Sequence, residues 1–321
     1  MTKVLITGSA GFIGYHTARR LLADGFNVAG IDSLNDYYDP GLKAARHADI
    51  AAEFPEFEAY EFDLCDSARL ADVFDQFRPE LVCHLAAQPG IRYSFEHPLI
   101  YGERNLTAFL NILELAKKRG VQRFVYASSS SVYGGNEKLP YSEADRVDRP
   151  ISLYAATKRS NELLAGTYAR AFDLPTVGLR LFTVYGPWGR PDMAAWKFTE
   201  AILAGRPISV FNNGEMYRDF TYVDDIVDGI AAALQAPGLA GDEIINLGNH
   251  RTESVLELIT QIERATGKEA VKQFEPLQPG DALRTFADID KARRLLGFAP
   301  RTTIAEGIPR FVQWYRQWKG H

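Results

Sequence analysis

The sequence is poor in cysteine, in net positive charge and in long apolar runs. Its 321 residues include two cysteines, Cys65 and Cys83, which excludes a disulfide framework and leaves no zinc-type spacing. The formal net charge is −5, so no global basic field favours nucleic acid or an anionic membrane, and an anionic small ligand must be held by local donors. No apolar run approaches the roughly 18 residues of a membrane span, and the N-terminal stretch lacks the apolar core of a signal peptide. We therefore expect a cytoplasmic protein that binds neither nucleic acid nor membrane.

Short apolar strands alternate with helical patterns through the first half of the chain. Strands are predicted at 4–7, 27–31, 57–62, 81–86, 123–128 and 175–181, and helices at 12–24, 67–77, 99–119 and 152–172. This spacing favours an α/β fold with a Rossmann-like, doubly wound parallel sheet covered on both faces. We assign residues 1–181 to this dinucleotide-binding domain. Residues 182–321, where the pattern loosens, are assigned mainly to a smaller interleaved α/β lobe, with segments that return to the first domain. The cleft between the two is the expected ligand site.

A glycine loop follows the first predicted strand, with the spacing G-x-x-G-x-x-G at Gly8, Gly11 and Gly14. Such glycines permit a tight turn, a close approach of the backbone to a pyrophosphate, and close packing of helix on strand. Phe12 and Ile13 open the helix, whose N-terminus offers free N–H groups and a positive dipole end to phosphates. The strand before the loop and the helix after it favour a dinucleotide site over an unliganded glycine turn.

Asp32 ends the second predicted strand, about 20 residues past the loop, where a carboxylate can accept hydrogen bonds from ribose hydroxyls and repel a 2′-phosphate. This position favours NAD over NADP as the cofactor. A loop-capping role for Asp32 and structural bracing by Asn105 are open alternatives. The other expected cofactor contacts lie after the predicted strands or in the long helix that follows: Asn35, Asp63, Leu64, Leu85, Ala86, Ala87 and Asn105.

Tyr154 and Lys158 stand four residues apart on a predicted helix and therefore share one face. A free tyrosine has a pKa of about 10 and is a poor base at neutral pH, but a nearby ammonium favours its phenolate. A helical Tyr–Lys pair is common, so the pair alone is weak evidence. The serines at 128–131 end another predicted strand. A hydroxyl there could donate to a reacting oxygen and receive from Tyr154, or could simply cap a turn.

The segments GSAGFIG, SSSSVYG and YAATK, together with Asp32, resemble the extended short-chain dehydrogenase/reductase family. LRLFTVYGP and RDFTYVDD resemble its nucleotide-sugar branch, so the resemblance runs through essentially the whole chain. It implies bound NAD and a catalytic set of Ser129, Tyr154 and Lys158, with Ser129 identified by its position relative to Tyr133. Tyr154 and Lys158 are also expected to contact the cofactor. The resemblance further implies a homodimer formed through the helices at 99–119 and 152–172.

Ser130 and Ser131 bear on which reaction of the family is expected. Related nucleotide-sugar dehydratases carry an Asp-Glu pair in this stretch and UDP-glucuronate decarboxylases a Glu, whereas serines cannot readily move an extra proton at neutral pH. Tyr154 is then the only obvious proton-transfer group. The resemblance therefore implies an isomerase: hydride leaves C4 of the sugar for NAD, the 4-keto sugar turns in the cleft, and the hydride returns to the other face.

The segments at 35–40, 88–94 and 180–193 resemble the UDP-glucuronate 4-epimerases, which interconvert UDP-glucuronate and UDP-galacturonate. Thr183 stands where UDP-glucose 4-epimerases usually carry Asn, and Arg190 is placed to meet a C6 carboxylate, which it could bind bidentately. Arg190 could instead brace its own loop. The other expected contacts of the UDP-sugar substrate, beside Thr183 and Arg190, are Pro89, Arg92, Ser130, Ser131, Met193, Val210, Phe211, Arg218, Gln278 and Asp281.

Several alternatives stay open. The same fold serves UDP-glucose/UDP-galactose 4-epimerases, UDP-glucuronate decarboxylases and reductases, and the chain could instead be a catalytically inactive dinucleotide-binding sensor. Lys43 and Arg46 are expected on a solvated helix face. The histidines at 47, 84 and 97 show no metal-ligand spacing, so no metal site is expected, and His84, inside a strand, is expected in the core.

Overall fold

A computed structural model gives the fold of residues 1–277 and 282–320. Its centre is a seven-stranded sheet of β1 (Lys3–Thr7), β2 (Asn27–Asp32), β3 (Glu58–Glu61), β4 (Leu81–His84), β5 (Arg123–Ser129), β6 (Thr176–Leu181) and β11 (Asp242–Leu247). Every neighbouring pair is parallel, and the strand order is β11-β6-β5-β4-β1-β2-β3. The doubly wound parallel sheet predicted from the sequence is confirmed.

Helices cover both faces of the sheet because side chains on each strand alternate between two apolar layers. Val4 and Ile6 pack into one layer, and Leu5 packs into the other. The first layer is completed by α1 (Phe12–Ala23) and α9 (Val223–Gln235), and the second by α3 (Ser67–Phe77), α6 (Ala108–Lys118) and α7 (Leu153–Phe172). The remaining helices of this half are α2 (Pro40–Glu53), α4 (Ile91–Glu96) and α5 (Pro98–Tyr101).

Two elements from the second half of the chain complete the sheet. Strand β11 pairs with β6 from Asp242 opposite Thr176 to Leu247 opposite Leu181, and α9 packs beside α1. Both are therefore part of the layered α/β unit although they follow residue 181. The chain thus leaves the sheet after β6 and returns to it, which places the intervening segments over the carboxyl ends of the strands.

The rest of the second half forms a smaller lobe around a third apolar cluster, in which Trp196, Phe311 and Tyr315 pack together. Three two-stranded sheets belong to this half: β7 with β10, β8 with β13, and β9 with β12. Its elements are β7 (Thr183–Tyr185), α8 (Ala194–Leu203), β8 (Ile208–Phe211), β9 (Tyr217–Arg218), β10 (Phe220–Tyr222), β12 (Glu253–Ser254), α10 (Val255–Thr266), β13 (Lys272–Glu275), α11 (Asp290–Leu296) and α12 (Ile304–Lys319).

Two predicted elements differ from the structure in detail. The helix expected at 99–119 consists of α5, a π-helical turn at Gly102–Thr107 and α6, and the strand expected at 81–86 ends at His84. The backbone of Leu85 and Ala86, directly after β4, packs against Gly8 of the glycine loop. Among the helices within 1–277 and 282–320, none combines the length and apolar character that crossing a bilayer requires.

Candidate active site

The glycine loop lies at the carboxyl end of β1 and is packed too tightly for side chains. Gly8 has φ +74°, and a Cβ there would lie 2.7 Å from the backbone nitrogen of Ala86. A Cβ on Gly14 would overlap the carbonyl oxygen of Gly8. The helix α1 can therefore begin directly behind the loop, with the first-turn N–H groups of its N-terminus facing the cleft.

Asp32 ties this loop to the end of β2. One carboxylate oxygen accepts from the backbone N–H of Ala10 at 3.0 Å, and the other accepts from that of Leu34 at 2.9 Å. Asp32 also lines the cavity beside the loop. The loop-bracing and ligand-facing interpretations of Asp32 are therefore compatible, because each carboxylate oxygen has a second lone pair available.

Two cavities meet above the sheet and form one cleft. The first, of about 260 Å³, runs along the glycine loop, and the second, of about 800 Å³, runs into the smaller lobe. Residues that line both cavities mark their junction: Tyr37, Pro89, Ser129, Tyr154, Leu181, Phe182, Arg190 and Met193. The predicted proton-transfer residues thus lie where a ligand of one cavity would meet a ligand of the other.

The predicted cofactor residues converge on the first cavity, with one exception. Those that line it are Gly8, Gly11, Phe12, Ile13, Gly14, Asp32, Asn35, Asp63, Leu64, Leu85, Ala86, Ala87, Tyr154 and Lys158. Asn105 does not line it. Its side chain is buried behind the cavity, where it accepts from the N–H of Gln88 at 2.7 Å and donates to the Thr157 hydroxyl at 3.1 Å. This position favours the bracing role, since Asn105 links the loop after β4 to α7.

Ser129, Tyr154 and Lys158 are brought together by the end of β5 and the first turns of α7. Ser152 caps α7 by accepting from the N–H of Ala155 at 3.1 Å, so the helix starts at Leu153, one residue before Tyr154. Lys158 lies one turn further on and donates from Nζ to the carbonyl oxygen of Ala127 on β5, 2.8 Å away. The Ser129 hydroxyl oxygen accepts from Ser131, from its N–H at 3.2 Å and its hydroxyl at 2.9 Å.

Burial dominates the ionisation of this group. It raises the pKa of Tyr154, while the Ser129 hydroxyl and the Arg190 guanidinium act in the opposite direction. Burial also lowers the pKa of Lys158 to about 8, although the carboxylate of Glu162 opposes this shift. Arg190, predicted as a substrate ligand or as a brace of its own loop, is thus a cation that also acts on Tyr154. The net shift of the Tyr154 pKa is upward, so Ser129 and Arg190 offset only part of the effect of burial.

A buried ion pair between Glu162 and Arg180, which the sequence did not reveal, distinguishes the surroundings of Ser128 from those of Ser129. Glu162 accepts from Arg180 through Nε at 2.8 Å and Nη2 at 2.9 Å, and from the Ser128 hydroxyl at 2.6 Å. The Ser128 hydroxyl is therefore engaged by a buried carboxylate, whereas the Ser129 hydroxyl lies next to Tyr154. The two partners are 18 residues apart and on different elements, so no local spacing could have indicated the pair.

Most of the predicted substrate residues line the second cavity: Pro89, Arg92, Ser130, Ser131, Thr183, Arg190, Met193, Phe211 and Arg218. Arg92 lies over the ring of Phe211, 4.6 Å from its centroid, so the two lobes touch across this cavity. Val210, in contrast, is fully buried in the third apolar cluster, because it alternates with Phe211 along β8. Gln278 and Asp281 lie outside the residues that the structure describes.

Arg190 has an intramolecular partner that the sequence did not suggest. Its Nε donates to one carboxylate oxygen of Asp192 at 2.9 Å, and Nη2 donates to the other at 2.5 Å. The Tyr37 hydroxyl donates to the same carboxylate at 3.2 Å. One bidentate edge of the guanidinium is therefore occupied, and a ligand carboxylate would have to use the remaining edge, which ends in Nη1.

The expectation that Lys43 and Arg46 face solvent is wrong. Both are buried, and Arg46 is 0% exposed. Arg46 donates to the carbonyl oxygens of Ala10 at 2.7 Å and Trp188 at 2.6 Å, and Lys43 donates to the carbonyl oxygen of Asn35 at 2.5 Å. The charged residues of α2 suggested a solvent-exposed face, because the sequence of one helix does not show which other segments pack against it. The backbone carbonyls that accept these hydrogen bonds come from loops elsewhere in the chain.

His84 lies in the core, as expected. Its Nδ1 is 2.8 Å from the Thr7 hydroxyl, its ring packs against Phe109 and Phe124, and burial lowers its pKa to about 3. Across 1–277 and 282–320, no group of three or more His, Cys, Asp or Glu side chains is placed to hold a metal ion.

Comparisons with known proteins agree with this geometry. Residues 4–248 match the family model described as the NAD dependent epimerase/dehydratase family. The chain is 45% identical to a probable UDP-glucuronate 4-epimerase of Rhizobium meliloti (strain 1021), over 98% of this chain and 97% of the relative.

Two solved structures are similar along nearly the full length. A UDP-glucuronic acid 4-epimerase from Bacillus cereus, in complex with UDP-glucuronic acid and NAD, superposes with a TM-score of 0.93 at 34% identity, covering 99% of this chain and 100% of that one. A UDP-glucose 4-epimerase from Thermotoga maritima with UDP-glucose has a TM-score of 0.90 at 30% identity, covering 99% and 100%. The fold alone therefore does not distinguish the two sugars.

Proposed function

The chain belongs to the NAD dependent epimerase/dehydratase family, and from this membership we propose that it is a UDP-glucuronate 4-epimerase, an isomerase that interconverts UDP-glucuronate and UDP-galacturonate with bound NAD. The observation that carries the proposal is the junction of the two cavities, where Ser129, Tyr154 and Arg190 lie together. A cofactor along the glycine loop and a sugar in the smaller lobe would meet at this point.

Tyr154 is proposed as the group that removes the O4 proton of the sugar and later returns it. The Ser129 hydroxyl would hold the reacting oxygen, and Lys158, fixed to the carbonyl of Ala127, would favour the phenolate through its positive charge. NAD, when bound, accepts hydride from C4 and gives it back. Asp32 would hold the ribose hydroxyls, and the N–H groups behind the glycine loop would hold the diphosphate.

The lining of the second cavity supports epimerisation over decarboxylation or dehydration. Among the cavity residues within the described ranges, Asp192 is the only carboxylate, and it is paired with Arg190. Ser130 and Ser131 occupy the wall next to Ser129. Within the described ranges, this wall therefore offers Tyr154 for one reversible proton transfer and no free carboxylate for an elimination step.

A uronate is favoured over a neutral sugar because Arg190 lies beside Tyr154, close to where the sugar must react. Thr183, Ser130 and Ser131 add hydroxyl groups to the same wall. A 4-keto uronate is a β-keto acid, which loses CO₂ easily. Hydrogen bonds that keep the carboxylate out of the alignment needed for C–C cleavage would protect it during the reaction.

The test is to incubate the purified protein with UDP-glucuronate, without added NAD, and to follow the products by NMR, with the Tyr154→Phe variant as control. We expect UDP-galacturonate with little UDP-pentose from the wild type, and no conversion by the variant. Conversion of UDP-glucose but not UDP-glucuronate would indicate a UDP-glucose 4-epimerase, and a pentose product would indicate a decarboxylase. Retained NAD without any turnover would support the sensor alternative.

The division of labour along the chain is part of the same proposal: residues 1–181 bind NAD and carry the catalytic groups, and 182–321 mainly bind the UDP-sugar. We further propose a cytoplasmic location, which suits the unpaired thiols of Cys65 and Cys83. Fractionation of cells that express a tagged chain checks this location.

A homodimer through α6 and α7 is also proposed. Large apolar side chains are exposed on these helices, including Leu110 (42% exposed), Leu163 (54%) and Phe172 (50%). Exposed apolar groups on neighbouring helices commonly mark an interface. Light scattering of the wild type and of Leu163→Glu tests it. We expect a dimer that the substitution weakens, and a monomeric wild type would contradict the proposal.

A further inference from the structure

Arg190 and Asp192 form an ion pair at the point in the cleft where the sugar would react. Both side chains line the second cavity together with Tyr154 and Ser129. The Asp192 carboxylate accepts hydrogen bonds from Nε and Nη2 of the Arg190 guanidinium. The hydroxyl of Tyr37, from the other lobe, donates to the same carboxylate. This arrangement belongs to the substrate side of the cleft, yet nothing in the proposed chemistry requires a carboxylate there.

Asp192 is ionised at neutral pH in this setting. Burial raises its pKa, but the Arg190 guanidinium and the Tyr37 hydroxyl outweigh burial and hold the pKa below its usual range. Burial acts to lower the pKa of Arg190, and Asp192 more than compensates, so Arg190 remains a cation. The pair therefore presents almost no net charge to the cavity.

The geometry leaves one edge of the guanidinium for a ligand. A planar guanidinium can form two bidentate contacts, one through Nε with Nη2 and one through Nη2 with Nη1. Since Asp192 holds the first edge, it fixes the orientation of Arg190 and points the second edge away from itself. A ligand carboxylate on that second edge would share one cation with Asp192, and the two carboxylates would repel each other through it.

We propose that Asp192 is a positioning residue that weakens the binding of the substrate's C6 carboxylate by Arg190, so that the keto sugar can turn between the two hydride transfers. The inference rests on the proposed function. A sugar anchored by an uncompensated guanidinium would be bound tightly in one orientation, which raises the barrier to the half-turn that epimerisation requires. An Arg190 guanidinium that is already paired with Asp192 still distinguishes a uronate from a neutral sugar, but it releases the uronate carboxylate more readily.

The experiment measures affinity and turnover separately. Dissociation constants for UDP-glucuronate and UDP-glucose are determined by calorimetry on NAD-loaded protein in a Tyr154→Phe background, which prevents conversion, with and without Asp192→Asn. We expect Asp192→Asn to tighten UDP-glucuronate binding on the order of tenfold while UDP-glucose binding changes less than about twofold. In the Tyr154 enzyme, Asp192→Asn should lower kcat for UDP-glucuronate.

Two further variants separate this role from a structural one. Asp192→Glu keeps the charge and should keep the ratio of the two affinities close to that of the wild type. Asp72→Asn removes an exposed carboxylate on α3 and should change neither affinity nor kcat. If Asp192→Asn weakens UDP-glucuronate binding, leaves it unchanged, or shifts both ligands equally, Asp192 only braces the loop and the inference fails. Failure of the proposed function is a different result, namely a wild type that does not convert UDP-glucuronate.

Discussion

The Lys158 ammonium donates to the main-chain carbonyl oxygen of Ala127, 2.8 Å away. This contact joins α7 to the end of β5 directly beneath the phenol of Tyr154. It also buries a cation, since Lys158 is 3% exposed and burial lowers its pKa to about 8. The site therefore keeps its lysine at a cost in folding free energy, and that cost can be measured.

The first prediction concerns the stability of the protein at alkaline pH. Lys158 has a folded pKa of about 8 against an ordinary value of 10.5, so the unfolded chain binds more protons between these values. The contribution of Lys158 to the free energy of unfolding is therefore most favourable above pH 10.5, and this stability is lost as the pH falls from 10.5 to 8. We expect the wild type to gain about 3 kcal/mol relative to Lys158→Met between pH 8 and 10.5. Urea unfolding at several pH values measures this. Lys118→Met, on an exposed helix face, should show no comparable rise, and a flat difference for Lys158→Met would contradict the prediction.

The second prediction compares two glycine substitutions. Gly14→Ala places a methyl group on the carbonyl oxygen of Gly8, whereas Gly102→Ala meets nothing within 4 Å. The first should distort the glycine loop and abolish retention of NAD through purification. The second should leave NAD bound and stabilise the fold by about 0.5–1 kcal/mol, because alanine restricts the unfolded chain. Nucleotide released on denaturation is quantified by chromatography. A Gly14→Ala protein that retains NAD would show that the loop does not hold the cofactor.

The third prediction concerns Arg46, which connects the glycine loop to the loop that carries Arg190. Arg46→Met leaves the carbonyl oxygens of Ala10 and Trp188 without this donor in the interior. Each buried acceptor that loses its partner costs about 1–3 kcal/mol, so we expect destabilisation of about 3 kcal/mol together with weaker NAD retention. Denaturant unfolding and NAD content are the two readouts. Arg264→Met, on the exposed face of α10, is the control and should change neither. Equal behaviour of the two variants would mean that Arg46 has no such connecting role.

The fourth prediction compares two buried tyrosines, one whose hydroxyl lacks a hydrogen-bond partner in the described structure and one whose hydroxyl makes two hydrogen bonds. The Tyr126 hydroxyl has no hydrogen-bond partner among residues 1–277 and 282–320, while the Tyr133 hydroxyl donates to Asn246 at 2.7 Å and accepts from Arg180 at 3.0 Å. Tyr126→Phe should stabilise the protein by about 1 kcal/mol, because it removes an unpaired buried polar group. Tyr133→Phe should destabilise it by about 1–3 kcal/mol. Thermal and urea unfolding measure the stability of both variants. A loss of stability in Tyr126→Phe would contradict the expectation that its hydroxyl is an unpaired buried group.

The parts of the site that could be predicted from the sequence depend on short-range patterns. The spacing of Gly8, Gly11 and Gly14 reflects sterics within one turn, and Tyr154 with Lys158 share a helix face because they are four residues apart. The alternation of apolar strands and helical segments likewise determined the parallel sheet, since each strand must be buried on both faces. These features follow from backbone geometry and from the local period of side chains.

Other features were decided only by tertiary structure. Arg46 looked solvent-exposed on its helix but is buried, because carbonyl groups from two distant loops converge on it. Asn105 lies behind the cleft and Val210 in the core, although both were expected at the ligand. Glu162 pairs with Arg180 on another element. The sequence by itself determined the sheet, the glycine loop and the Tyr154–Lys158 pair. Tertiary structure decided which charges are buried and with which partners, because the desolvation of a charge and its compensation depend on groups that only folding brings within hydrogen-bond distance.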